Sequence, residues 1–99
     1  MDIVGGLDVH RKQITFDYME MDTGESHHGE ICPADREHLE EWLDEFTERF
    51  GEREAAFAVE ATTGWRYVVE ELRRAGLEAH LAEPADTRSM QGRKKPPRK

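Results

Sequence analysis

Ile3-Val4-Gly5-Gly6-Leu7-Asp8-Val9 is the stretch from which the fold is read. It is apolar without alternation, the pattern of a strand buried on both faces of a sheet. Glycine weakens a strand interior, so Gly5 and Gly6 mark a close approach by another backbone or a ligand. A second run of the same kind, Ala55-Ala56-Phe57-Ala58-Val59-Glu60-Ala61, follows later in the chain. Each run carries one carboxylate: Asp8 interrupts the first and Glu60 closes the second. A carboxylate on a buried strand is costly unless something compensates it.

The elements between and beyond these runs follow from periodicity. Gln13 to Met19 alternates, with Ile14, Phe16 and Tyr18 on one face, and reads as a strand. Asp22-Thr23-Gly24 is a turn, and Glu25 to Cys32 is a weaker strand closed by Pro33. The first three strands form an antiparallel meander. Leu39, Trp42, Leu43, Phe46 and Phe50 make one apolar helical stripe, with Asp35 as N-cap and Gly51 at the C-terminal end. Trp65, Val68, Val69, Leu72 and Ala75 make a second stripe, ended by Gly76. Thr62-Thr63-Gly64 leads into it, and a threonine hydroxyl is expected to cap it. Leu77 to Glu83 is the last strand, closed by Pro84. The order β-β-β-α-β-α-β predicts an α/β fold. Its mixed sheet has parallel pairing in the strand–helix–strand units, right-handed crossovers and helices packed on it.

Composition bounds the function. A chain of 99 residues holds one small domain. Its net charge of −8 is unevenly spread: residues 1–87 hold 8 basic and 22 acidic residues, while 88–99 hold six basic residues and no acidic one. The chain divides accordingly into a domain at 1–87 and a basic tail at 88–99. An acidic body is poorly suited to gripping a phosphate backbone by itself. Arg93, Lys94 and Lys95 in the tail are candidates for nucleic-acid contact, against the plainer reading of a solvated terminus. No apolar run approaches the roughly 20 residues that span a bilayer, so no membrane association is expected. Met1-Asp2-Ile3-Val4 has no signal-peptide character, and the single cysteine, Cys32, can form no internal disulfide. A reducing, cytoplasmic location is the expectation.

Asp8 and Glu60 carry the chemistry. The first strand and the strand at 55–61 can lie side by side, about 4.8 Å apart. The carboxyl ends of such strands form the usual ligand crevice of open α/β sheets. Two carboxylates about 5 Å apart repel by roughly 3 kcal/mol at an effective dielectric near 20. A divalent cation removes that cost, and oxygen-only ligation selects Mg²⁺ or Mn²⁺ rather than zinc. The alternative is local: Asp8 capping a turn with Arg11, and Glu60 capping the next helix or meeting Arg66. His27 and His28 are expected to be solvated on an edge strand, and no His/Cys pair has a zinc spacing. Cys32 has no partners for nucleophilic chemistry, and Trp42 and Trp65 belong to core stripes. Gly5-Gly6 is not a phosphate loop, because no Lys-Ser/Thr follows.

Gly6-Leu7-Asp8-Val9-His10-Arg11-Lys12, Val59-Glu60-Ala61-Thr62-Thr63-Gly64-Trp65, Leu72 to Gly76 and a strand ending Glu83-Pro84 together resemble a known family. It is the N-terminal domain of the DEDD insertion-sequence transposases, family one-ten, related to the Piv DNA invertases. The resemblance covers roughly residues 3–95 in order and spacing. It implies an RNase H-like, RuvC-like fold and divalent-metal-dependent phosphodiester cleavage and strand transfer. It matches Asp8 to the first and Glu60 to the second of four metal-holding acids. Two metals about 3.5–4 Å apart then activate the attacking oxygen and stabilise the leaving one. It implies DNA and an element-derived guide RNA as partners; His10, Arg11 and Lys12, next to the acid motif, are candidates for nucleic-acid contact, against the plainer reading of His10 as a strand-end surface residue.

The match is incomplete. After Arg93-Lys94-Lys95 the family passes into a second pair of acids, whereas this sequence reads Pro96-Pro97-Arg98-Lys99. Asp86 falls too early to serve, and the family's later serine-bearing half has no counterpart. A fragment inactive by itself is therefore expected, self-associating through sheet surface that later elements would cover. Two rival readings stand beside it. One is a non-enzymatic remnant acting as a small interaction or nucleic-acid-binding module. The other is an actin-like ATPase or kinase fragment, disfavoured by length.

Overall fold

The computed structural model describes residues 1–82. Five strands and two helices follow the predicted order: β1 (Ile3–Val9), β2 (Ile14–Glu20), β3 (Glu25–Ile31), α1 (Arg36–Phe50), β4 (Ala55–Glu60), α2 (Trp65–Arg74) and β5 (Glu78–Ala82). They form one mixed sheet in the order β3-β2-β1-β4-β5. β1 is central, antiparallel to β2 and parallel to β4, and β5 extends the sheet in parallel to β4. β2 and β3 are the antiparallel hairpin of the meander. The strand end at Glu83-Pro84 and the basic tail with Arg93, Lys94 and Lys95 lie outside the described residues.

Both helices lie on the same face and touch one another. Their stripes bury Leu39, Leu43, Phe46 and Phe50 from α1 and Val68, Val69 and Leu72 from α2 against Ile3, Leu7, Ile14, Phe57 and Val59 of the sheet. Tyr18 sits at the centre of an aromatic cluster, with its ring edge-on to Phe46, Phe50 and Phe57. Trp42 and Trp65 pack half-buried against this core.

The one-sided arrangement corrects the reading of β1 as buried on both faces. Ile3, Leu7 and Val9 are buried, but Val4 and Asp8 are exposed. Among the described residues no element covers the second face, so a continuous apolar run here spans one dry and one open surface. The two glycines separate in role for the same reason. A Cβ on Gly5 would sit 2.3 Å from the Asp17 carbonyl oxygen and 2.5 Å from the Tyr18 Cβ. One on Gly6 would meet only ordinary contacts at 3.7 Å.

Asp35 caps α1 as expected, accepting from the His38 backbone N–H at 2.8 Å, and Gly51 ends it at φ 63°. The threonine cap of α2 is not formed. Gly64 holds the N-cap position in the left-handed region at φ 88°, with no side-chain cap, and the Thr62 hydroxyl turns back toward the Val9 carbonyl. Periodicity gave no warning of Glu71, which is buried within α2. It accepts from Arg36 Nη1 of α1 at 2.6 Å and from Arg74 Nε at 2.7 Å. Burial pushes its pKa up, but the bonds from Arg74 and Arg36 outweigh burial and hold it below the ordinary glutamate value.

Gly5→Ala is expected to lower urea-unfolding stability by about 2–4 kcal/mol, and Gly6→Ala by less than about 1 kcal/mol. Equal losses would show that the β1–β2 approach is not the constraint. Glu71→Ala is expected to cost about 1–2 kcal/mol. Both arginines are half-exposed and return to water, so the loss stays below that of a fully buried pair. Because the folded pKa of Glu71 is lowered, its contribution is complete above about pH 4.3 and fades as pH falls through the folded value. Parallel acid-unfolding curves for the wild type and Glu71→Gln would contradict this.

Candidate functional site

The β1–β4 register runs from Ile3 opposite Ala55 to Leu7 opposite Val59. One residue further, Asp8 and Glu60 stand side by side at the carboxyl ends of two parallel strands. Both line one shallow depression on the open face, with Gly6, Thr15, Asp17 and Ala58. They also share the adjoining rim with His10, Arg11, Thr62 and Thr63. This is the juxtaposition expected from the two apolar runs.

Asp8 is exposed, and its Oδ2 lies 3.2 Å from His10 Nε2. Its partner is thus His10, not Arg11. Glu60 is half-buried and makes no ion pair with Arg66 or any other cation among the described residues. His10, Arg11 and Lys12 form the exposed turn from β1 to β2, directly beside the acids. Gly6 leaves a gap in which the Asp17 Oδ1 and the Ala58 carbonyl oxygen are its nearest neighbours.

The donors fit a hard cation by chemistry: the Asp8 and Glu60 carboxylates on adjacent strands, with Asp17 and Thr15 lining the same depression, all oxygen. Their number is small. A three-donor convergence does occur among the described residues, but elsewhere: Glu20, Glu25 and His27 bring ligand atoms within 4.8 Å of one another. There His27 Nε2 is 2.8 Å from Glu20 Oε2, and Arg53 Nη1 donates to Glu20 Oε1 at 3.0 Å. The His27 hydrogen bond, then the Arg53 one, lowers the Glu20 pKa. The Arg53 guanidinium already neutralises this glutamate, so the cluster is an ion-pair lock between the β2–β3 hairpin and the approach to β4. It corrects the expectation that His27 is solvated: its ring stacks on Tyr18 at 4.8 Å between centroids. His28 is exposed as expected.

No family model matches the sequence, and no curated protein matches it. Solved structures do. T. thermophilus RuvC in complex with a Holliday junction substrate aligns over 85% of this chain and 64% of its own, at 13% identity and a TM-score of 0.55. A ROK family protein from Streptococcus pneumoniae TIGR4 in complex with sucrose aligns over 84% of this chain and 35% of its own, at 22% identity and a TM-score of 0.49. An Aquifex aeolicus Ppx/GppA phosphatase aligns over 85% and 36%, at 10% identity and a TM-score of 0.44. The first likeness defines the class: an α/β fold of the RNase H-like, RuvC-like type. The chain spans less than two thirds of that RuvC chain. No described helix is long and apolar enough to cross a membrane.

If Asp8 and Glu60 are functional rather than structural, removing their charge should not weaken the fold. Asp8→Asn combined with Glu60→Gln is expected to raise or preserve the melting temperature at low salt, because repulsion is relieved. A clear drop would assign the pair a structural role.

Proposed function

We propose that this chain is the N-terminal part of the catalytic domain of a DEDD-type DNA transposase or recombinase, with Asp8 and Glu60 as two of its metal-holding acids. The observation that carries the reading is the pair itself. Two carboxylates stand together at the carboxyl ends of parallel β1 and β4, where an open α/β sheet places its ligand crevice. The RuvC-like fold supports it, since T. thermophilus RuvC, which shares that fold, is seen in complex with a Holliday junction substrate.

Under this reading Asp8 and Glu60 bind Mg²⁺ or Mn²⁺. When bound, the metal supplies Lewis-acid stabilisation of charge on a phosphodiester and its attacking oxygen. The chain's own groups hold and orient. Asp8 and Glu60 would hold the cation, and His10, whose Nε2 lies 3.2 Å from Asp8 Oδ2, would stand beside it on the substrate side. Arg11 and Lys12 place positive charge at the rim, where a phosphate backbone meets the acids. Arg93, Lys94 and Lys95 add further backbone contacts. The partners are the DNA to be cleaved and a structured RNA from the same element.

Two carboxylates give a weak cation site, and the family's second pair has no counterpart in the sequence. The 99-residue chain is therefore expected to bind Mn²⁺ weakly and to leave branched DNA uncut. In an NMR titration, Mn²⁺ should broaden the Asp8 and Glu60 resonances first, and Asp8→Ala should abolish that selectivity. Metal-dependent nicking by the purified chain, lost in Asp8→Ala, would overturn the expected inactivity. Absence of any broadening at the site would favour the second reading, a non-enzymatic interaction module, which the small number of converging donors supports.

A further inference from the structure

The register of the sheet fixes what its open face carries. Val4, Gly6 and Asp8 of β1 share it with Thr15, Asp17 and Met19 of β2, Ser26, His28 and Glu30 of β3, Ala56, Ala58 and Glu60 of β4, and Glu78, His80 and Ala82 of β5. Five of these are acidic and none is Lys or Arg. Val4 is 43% exposed and Met19 40% exposed, so the acids surround bare apolar surface. A second copy would bring the same five acids to this face and so lacks charge complementarity to it. The complementary occupant is cationic with some apolar content.

We propose that the segment 88–99 of this same chain docks across the open face. It holds Arg88, Arg93, Lys94, Lys95, Arg98 and Lys99, no acid, and Met90, Pro96 and Pro97 to meet the apolar surface. The last described residue, Ala82, lies on this face opposite Glu60, so the chain leaves at the rim of the acidic depression. From β5 to β2 is three strand spacings, about 14 Å, and to β3 about 19 Å. Six extended residues reach about 20 Å, so every cation from Arg88 onward is within range. The other acidic surface, the outer side of α1, carries its own Arg36 and Arg49, and α2, packed on β4 and β5, stands between it and the exit point. The same cations then have two uses. They neutralise the open face when nucleic acid is absent, and a phosphate backbone competes for them.

The proposal does not depend on the transposase reading, because it needs only the acidic face. It is tested on the full chain by zero-length carbodiimide coupling of lysine amines to carboxylates, mapped by mass spectrometry on a mixture of light and heavy isotope-labelled chains. Lys94, Lys95 and Lys99 are expected to couple within one chain to Asp17, Glu30, Glu60 or Glu78, with yields falling several-fold in 1 M salt. A triple variant, Arg93→Glu, Lys94→Glu and Lys95→Glu, should shift the amide resonances of Gly6, Asp17 and Met19 while those of α1 stay in place. Three results would overturn the proposal: coupling spread evenly over the α1 glutamates, coupling only in light–heavy pairs, or no shift on the open face in the triple variant.

Discussion

The parallel pairing of β1 with β4 is the contact on which the rest of the structure depends. It joins the N-terminal meander to the β4-α2-β5 unit, so without it the two halves share no continuous sheet. The same register buries Leu7 beside Val59 and sets Asp8 beside Glu60 one step later. Core and candidate site are thus consecutive rungs of one ladder. Gly5 matters at this point because β1 must approach β2 on its other edge, and a side chain there would collide with the β2 backbone.

A sheet covered on one face only divides the charge of the molecule. The helix side holds the aromatic cluster and one buried carboxylate, Glu71, which is pinned between Arg36 and Arg74 and ties α2 to the start of α1. Among the described residues the carboxylates of the open side find no guanidinium or ammonium partner on their own face, and Asp8 and Glu78 contact only His10 and His80. Pairing is what allows Glu71 to be buried. The acids of the open face, by contrast, remain near water, where an exposed carboxylate needs no buried partner. The strongest clustering of metal-type donors, at Glu20, Glu25 and His27, is already satisfied by Arg53, so proximity alone does not make a cation site.

A fold alone assigns no chemistry. What narrows the reading here is the position of the two acids at the switch between parallel strands, together with the basic turn His10-Arg11-Lys12 at their rim. The contact of Asp8 with His10 joins two half-exposed groups and contributes little to stability.

The sequence by itself determined the element order, the helix stripes, the Asp35 cap and the pairing that brings Asp8 to Glu60. The order, the stripes and the cap rest on local periodicity and end chemistry, which act over short stretches of chain, while the pairing of β1 with β4 follows from the fully apolar character of both strands, which suits them to central, parallel positions. Tertiary structure decided the rest. A continuous apolar run cannot say whether one face or two will be covered, because that depends on how many helices are present and where they pack. Nor could periodicity single out Glu71 or His27: Glu71 is buried beside a partner from the other helix, Arg36, and His27 is half-buried against the Tyr18 ring and the Glu20 carboxylate across the hairpin. The α2 cap failed for a related reason: Gly64 took the left-handed position and the Thr62 hydroxyl turned toward Val9, a neighbour that only the folded sheet supplies.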